Sequence, residues 1–260
     1  MSDNKVLCYS GGLDSYCLRL LDEYDTFVFF DLGTKEAEYE KFIVQDHVPE
    51  EKLEVVGLTD LAGFEMDNKT IPLRNIIMAF LASNYGNVIH LGGTFGDRFN
   101  VRDGDEIAAD MASALLNHFN GYGYGVDTMP QDHSRYRVEF PVCHLTKGEI
   151  LQKTVDETFA SVSMVLEESK SCHHGDEEMG CGECEDCLRT ATAVAYVLQE
   201  HERVHSLLES EFRVNPFTEA PAEVENRMGR RKGEFEQYLE ARKQYHRKIN
   251  PLEREGVTYE

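Results

Sequence analysis

Ser10-Gly11-Gly12-Leu13-Asp14-Ser15 stands between the apolar run Lys5-Val6-Leu7-Cys8-Tyr9 and a helical pattern that continues through Tyr16-Cys17-Leu18-Arg19-Leu20-Leu21. The first run reads as a buried parallel strand, the second as a helix with apolar residues at 3.6-residue spacing. Two glycines in such a strand-to-helix turn let the backbone approach a ligand with no Cβ in the way. Ser10 and Ser15 add hydroxyls, and the following helix presents N–H groups and the positive end of its dipole. The turn therefore suits an anion, phosphate above all. A tight βα connection with a serine cap needs the same residues, so the local chemistry leaves both readings open. Neither the lysine of a Walker P-loop nor Gly-x-Gly-x-x-Gly is present.

Working outward, strand-like runs recur at 26–31, 53–56, 88–91 and 138–142, and helical patterns at 35–44, 73–85 and 107–119. Pro72 falls where proline is tolerated, at a helix start. This alternation predicts an α/β fold, a doubly wound and mostly parallel sheet. Pro141 places the last strand at an edge, because proline cannot donate to a ladder. Ligands of such sheets bind beyond the carboxyl ends of the strands, where the 10–15 turn, Asp31 and Gly92-Gly93 fall. Gly121-Tyr122-Gly123-Tyr124-Gly125 reads as a loop, and Pro216 and Pro221 break the pattern before a last charged helix at 222–248. The expected organisation is a nucleotide-binding α/β domain at 1–165, a metal-binding helical segment at 166–210 and a charged helical extension at 211–260.

The chain has 260 residues, 41% of them hydrophobic, enough for a full core. No apolar run approaches the ~18–20 residues that span a bilayer. The start, Met1-Ser2-Asp3-Asn4-Lys5, lacks the basic and apolar regions of a signal peptide, so a cytoplasmic location is expected. A net charge of −22 disfavours nonspecific contact with nucleic-acid backbones or anionic membranes and favours a small-molecule enzyme. Residues 227–248 run against this trend, with eight Lys/Arg against three Glu, a pattern a solvated helix face explains.

Four of the seven cysteines, Cys172, Cys181, Cys184 and Cys187, form C-x8-C-x2-C-x2-C, with Gly180 and Gly182 around the knuckle. A Cys-x-x-Cys turn aims two thiolates at one point, and four complete a tetrahedral zinc shell with no open position. An iron–sulfur cluster uses the same ligand set, and a redox Cys-x-x-Cys is the third reading. His173 and His174 are spare ligands, whereas Cys8, Cys17 and Cys143 sit in apolar surroundings as small core residues.

The string Ser10–Ser15 resembles the SGG-x-DS signature of the PP-loop ATP pyrophosphatases, which split ATP into AMP and pyrophosphate while adenylating a substrate. Together with the cysteine spacing it resembles one branch, the 7-cyano-7-deazaguanine synthase (QueC/ExsB) family, from Val6 to about Val197. Ile71-Pro72-Leu73-Arg74-Asn75 matches that family's Arg-Asn element, Pro141 to Glu149 its Pro…Lys-x-Glu segment, and Arg189 its basic residue beyond the cysteines. The resemblance implies an adenine-nucleotide α-hydrolase-like fold, the cofactors ATP, Mg²⁺ and Zn²⁺, a 7-carboxy-7-deazaguanine-like carboxylate and ammonia as reactants, and a homodimer. It makes Asp14, Ser15, Arg74 and Lys147 catalytic, and gives nucleotide binding to Ser10, Gly11, Gly12, Leu13, Asp14, Ser15, Asp31 and Gly92. Asn75, Asp97 and Asp103 fall to the substrate, and Cys172, Cys181, Cys184 and Cys187 to the metal.

Two stretches depart from the family. After Gly92-Gly93 the sequence runs Thr94-Phe95-Gly96-Asp97-Arg98-Phe99-Asn100-Val101-Arg102-Asp103-Gly104-Asp105, where Asp97 and Asp103 fall on the family's two aspartates but its Tyr-Pro and Cys-Arg pairs are missing. Arg98 and Arg102 are the arginines at hand for the carboxylate. The family's Gln-Arg-His element after the second strand is replaced by Leu32-Gly33-Thr34-Lys35-Glu36. The competing hypotheses are a PP-loop enzyme of other specificity, either a diverged amide ligase or a nucleic-acid sulfur transferase, and a non-catalytic nucleotide sensor.

Overall fold

The computed structural model describes residues 3–34, 36–66, 70–97, 103–121, 135–170, 172, 180–199, 201–213, 215–219, 222–229 and 233–249. Tyr122–Gly125 of the glycine-rich stretch, Arg98, Arg102, His173, His174 and Arg230–Lys232 lie outside them. The chain divides into two compact units, Met1–Leu145 and Thr146–Glu260. The boundaries expected at 165/166 and 210/211 fall inside the second.

In the first unit, β1 (Lys5–Cys8), β2 (Thr26–Asp31), β3 (Leu53–Gly57), β4 (Val88–Leu91) and β5 (Arg137–Glu139) form one parallel sheet in the order β3-β2-β1-β4-β5. Largely apolar runs make the three inner strands, with His90 buried within β4. β2 (TFVFFD) and β4 (VIHL) bury successive residues on both faces, as expected where helices cover both sides of a parallel sheet. Alternate strand residues Val6, Cys8, Val28, Phe30, Ile89, Leu91 and Val138 share one core. It is completed by Ala79 and Ala82 of α3 (Arg74–Ala82) and Ala109, Ala112 and Leu116 of α4 (Glu106–Gly121). The intervening residues Leu7, Phe27 and Phe29 are buried on the opposite face. β3, at the far edge, exposes Val55. β5 forms the other edge, and Pro141 lies just beyond it, so the sheet ends where the proline requires.

Among the described residues this unit also has the α-helices α1 (Leu13–Leu21) and α2 (Ala37–His47). Strand order grows outward from β1 through β2 to β3, then reverses to place β4 on the other side of β1. The crevice between the carboxyl ends of β1 and β4 is thus the switch point, the usual ligand position in an open α/β sheet.

The second unit is helical: α5 (Lys147–Glu157), α6 (Val162–Glu168), α7 (Glu185–Leu198), α8 (His201–Glu211), α9 (Pro216–Glu219), α10 (Ala222–Met228) and α11 (Glu234–Ile249). Thr146 and Glu149 form a reciprocal capping box that starts α5, and Ser161 caps α6 through the Met164 amide. The single helix expected at 222–248 is two, because the chain turns at Gly233 with φ +78°, a conformation glycine adopts without strain. Leu188 and Ala191 of α7 pack with Val204, Leu208, Phe212, Phe217, Met228, Tyr238 and Tyr245 in one core. The extension is therefore structural mass around α7, not a solvated appendage. Cys8, Cys17 and Cys143 are buried core thiols.

Candidate nucleotide site and four-thiol centre

The 10–15 turn begins where β1 ends. Gly12 is the N-cap of α1 and, lacking a side chain, leaves the helix entrance open to a ligand. Gly11 has φ +75°, the left-handed region, and a Cβ there would lie 2.8 Å from Ile43 Cγ2. The glycine is thus required by both backbone and neighbour. The serines brace the turn. Ser15 Oγ donates to Gly12 O at 3.0 Å and lies 3.3 Å from Ser10 Oγ, while Gly12 N–H donates to Ser10 Oγ at 3.3 Å. Ser15 is buried, and Asp14 is half-buried in the first turn of α1.

Gly92 follows β4, whose Leu91 is in register with Cys8 of β1. A Cβ at Gly92 would approach the Ser15 amide nitrogen to 3.2 Å. The second glycine thus keeps side chains out of the entrance to α1. These residues fit a phosphate group: a helix N-terminus, glycine on both sides of the crevice and two hydroxyls. Asp31 ends β2 at the same edge, and its Oδ1 accepts the Gly33 N–H at 3.1 Å.

Asn75 and Asp103 are brought together directly. Asp103 Oδ2 accepts the Asn75 backbone N–H at 3.0 Å, its Oδ1 lies 3.5 Å from Asn75 Nδ2, and both residues are buried. The aspartate thereby holds the first turn of α3, where Arg74 is half-buried. Leu73, the N-cap, has φ +60° and is exposed. Asp97 Oδ2 accepts from Thr94 N at 2.8 Å and Thr94 Oγ1 at 2.9 Å, folding the segment after Gly93 into a turn. Asp105 accepts the Ala108 N–H and so starts α4.

In the second unit, the Sγ atoms of Cys172, Cys181, Cys184 and Cys187 all lie within 4.8 Å of one another. Cys181 and Cys187 are 3.8 Å apart, matching the ~3.8 Å edge of a tetrahedron built on a Zn–S bond of about 2.3 Å. Gly182, φ +79°, shapes the knuckle, and Cys181 Sγ accepts N–H bonds from Glu183 at 3.4 Å and Cys184 at 3.3 Å. A Cβ at Gly180 would strike the Phe212 ring at 2.7 Å. The four thiols cannot ionise together unaided. Hydrogen bonds from the other three lower the Cys172 thiol, and Cys181 falls to about 6 despite opposition from Cys172. Cys184 and Cys187 are pushed up, first by Cys172 and then by Cys181. A bound dication removes that conflict. The sulfurs leave room for one ion inside them, whereas a multi-iron cluster holds its thiolates outside the metal cage.

Lys147 opens α5 and is buried, its Nζ 3.8 Å from Asp186 Oδ1. Asp186, Glu234 and the full burial of Arg189 are what sequence reasoning missed. Asp186 reads as an ordinary acid in a helix first turn, and nothing near Glu234 in the chain signals Arg189.

The fold and these two centres define an α/β protein with a phosphate-suited turn at its sheet switch point and, on a helical unit, a cluster of four thiols that could hold a metal ion. Residues 31–198 match the family profile described as queuosine biosynthesis protein QueC, and the chain belongs to that family. It is similar to the 7-cyano-7-deazaguanine synthase of Chlorobaculum parvum, 24% identical over 224 residues, covering 74% of this chain and 92% of that protein. It is also similar to the 7-cyano-7-deazaguanine synthase of Chlorobaculum tepidum, 24% identical over 147 residues, covering 55% of this chain and 58% of that one. Among the described residues no helix is long and apolar enough to cross a membrane.

Proposed function

We propose that the protein is an ATP-dependent carbon–nitrogen ligase that adenylates a 7-carboxy-7-deazaguanine-like acid and converts it with ammonia to the amide and then the nitrile. The glycine turn at the switch point, open at the entrance to α1, is the observation that carries this reading. Family membership supports the choice of substrate class.

A carboxylate is a poor electrophile. Its oxygen attacks the α-phosphorus of ATP, the bond to the β-phosphate oxygen breaks, and pyrophosphate leaves. Ammonia then displaces AMP to give an amide, and a second activation of the amide oxygen allows dehydration to the nitrile. The protein's task is positioning and charge neutralisation. In this reading Ser10, Gly11, Gly12, Leu13 and Ser15 cradle the pyrophosphate, Asp31 and Gly92 border the nucleotide, and Arg74 and Lys147 offset phosphate charge. Asn75, Asp97 and Asp103 shape the acid's pocket. Asp14 would hold Mg²⁺, which neutralises phosphate charge when bound. Cys172, Cys181, Cys184 and Cys187 would hold a structural Zn²⁺, a reading supported by the closeness of their sulfurs.

We assign the protein to the cytoplasm, where free thiols persist, and to a homodimer. The dimer is supported by Ile107, Met111, Leu115 and Phe119, which recur every fourth residue and form an exposed apolar stripe on α4. An antiparallel second copy would set Ile107 against Phe119 and Met111 against Leu115, a self-complementary two-fold contact.

The test is pyrophosphate release from ATP with and without 7-carboxy-7-deazaguanine. Release that depends on this acid, and is abolished in Asp14→Ala, is expected. Release only with some other carboxylic acid would refute the substrate assignment.

A further inference from the structure

The segment beyond Leu198 lies outside the family match, yet it reaches back to the turn that carries Lys147 by two routes. The first is a buried charge chain. Glu234, the first residue of α11, accepts from Arg189 Nε at 2.7 Å and Nη2 at 3.0 Å, and the two side chains are 4% and 3% exposed. Arg189 Nη1 donates to Asp186 Oδ1 at 3.2 Å, and that same oxygen faces Lys147 Nζ at 3.8 Å. Two cations alternate with two carboxylates, so the chain is neutral as a whole. The second route lies one turn along α11, where Gln237 Nε2 donates to Thr146 Oγ1 at 3.2 Å. Thr146 is the N-cap of α5, next to Lys147.

Such a chain is a poor source of stability, because stripping water from two ions offsets most of their attraction and apolar residues would join the helices as well. What it supplies is direction. The two-pronged bond fixes the guanidinium plane, the guanidinium fixes Asp186, and Asp186 faces the Lys147 ammonium. Gln237 independently fixes the backbone turn from which Lys147 extends.

We propose that Glu234 and Gln237 are positioning residues for Lys147, so that the segment outside the family match is a working part of ATP activation. This rests on the reading of Lys147 as a phosphate-neutralising residue. The experiment is a double-mutant cycle on pyrophosphate release, with kcat and the KM for ATP measured separately. Glu234→Gln keeps the shape and removes the charge. It should lower kcat about tenfold while KM for ATP changes by less than about twofold, the pattern of an interaction made in the transition state. In a Lys147→Arg background the same substitution should change kcat by less than about twofold, because the ammonium it steers is gone. An equal fall in both backgrounds, or unchanged turnover in Glu234→Gln, would overturn the proposal. Undiminished turnover in Lys147→Met would refute the role of Lys147 itself, so the two failures are read apart. Should Glu234→Gln fail to fold, Gln237→Ala carries the same cycle. It should lower kcat about threefold in the parent and leave Lys147→Arg unchanged, and an equal effect in both backgrounds would overturn the proposal.

Discussion

Gly11→Ala is the sharpest probe of the turn. Gly11 sits at φ +75°, where an L-residue costs about 1–2 kcal/mol. The new Cβ would lie 2.8 Å from Ile43 Cγ2 and 3.4 Å from Ile43 Cβ. Ile43 is buried on α2 and must shift, at a cost of about 1–3 kcal/mol. Alanine's smaller unfolded-state entropy returns about 0.4–1 kcal/mol. The net destabilisation is therefore roughly 1–5 kcal/mol. Urea titration followed by far-ultraviolet circular dichroism measures it, since the chain has no tryptophan. The steric share can be isolated, because Ile43→Ala removes the Cγ2 that the new methyl meets. On that background Gly11→Ala should cost only the backbone share less the same entropy return, about 0–2 kcal/mol, leaving a coupling of about 1–3 kcal/mol. Where the variant folds, pyrophosphate release should still fall at least about tenfold, because the displaced amides no longer face the phosphates. A neutral Gly11→Ala, or strict additivity with Ile43→Ala, would refute the geometry on which the phosphate cradle rests.

Three further outcomes follow from other parts of the molecule. Elemental analysis should find one zinc and no iron per chain. Cys184→Ser should lose the metal and lower the thermal midpoint by at least about 10 °C, since metal at such sites supplies on the order of 10 kcal/mol and Cys187 lies in the helical core; iron, or a metal-free protein of unchanged midpoint, contradicts this. Met111→Glu with Leu115→Glu should turn a sedimenting dimer into a monomer, and a monomeric parent would dispose of the α4 contact. His90 is buried on β4 between Tyr24 and Glu139, and burial holds its imidazole below the ordinary value near 6.5 although Glu139 opposes the shift. Its contribution is complete above pH 6.5 and is lost as pH falls toward the depressed value, because the unfolded chain takes the proton first. His90→Gln should flatten stability against pH in that window, and an unchanged slope would show that other groups set it.

How much was legible depended on the range of the interactions. β1, β2 and β4 are short, largely apolar runs, so length and composition identify them without tertiary knowledge, and Pro141 alone marks the β5 edge. The 10–15 turn and the cysteine knuckle are likewise local, each written within a few residues. The capping box of Thr146 and Glu149 is equally local, but the few apolar residues of α5 hide the helix it starts. The extension read as a charged helix because charge dominates its composition. Its core stripe, Tyr238 and Tyr245 seven residues apart, was nevertheless there to be seen. Asp103 on Asn75 and Glu234 on Arg189 span 28 and 45 residues, and only folding pairs them.

In the proposed reaction the glycine turn serves to activate a deazaguanine carboxylate for attack by ammonia. It is tested most directly by incubating the protein with ATP, Mg²⁺, ¹⁵N-ammonia and 7-carboxy-7-deazaguanine and weighing the products. AMP, pyrophosphate and a nitrile carrying the ¹⁵N label are expected, all absent in Asp14→Ala. A folded, metal-loaded protein that binds ATP but yields no AMP and no labelled product would contradict it.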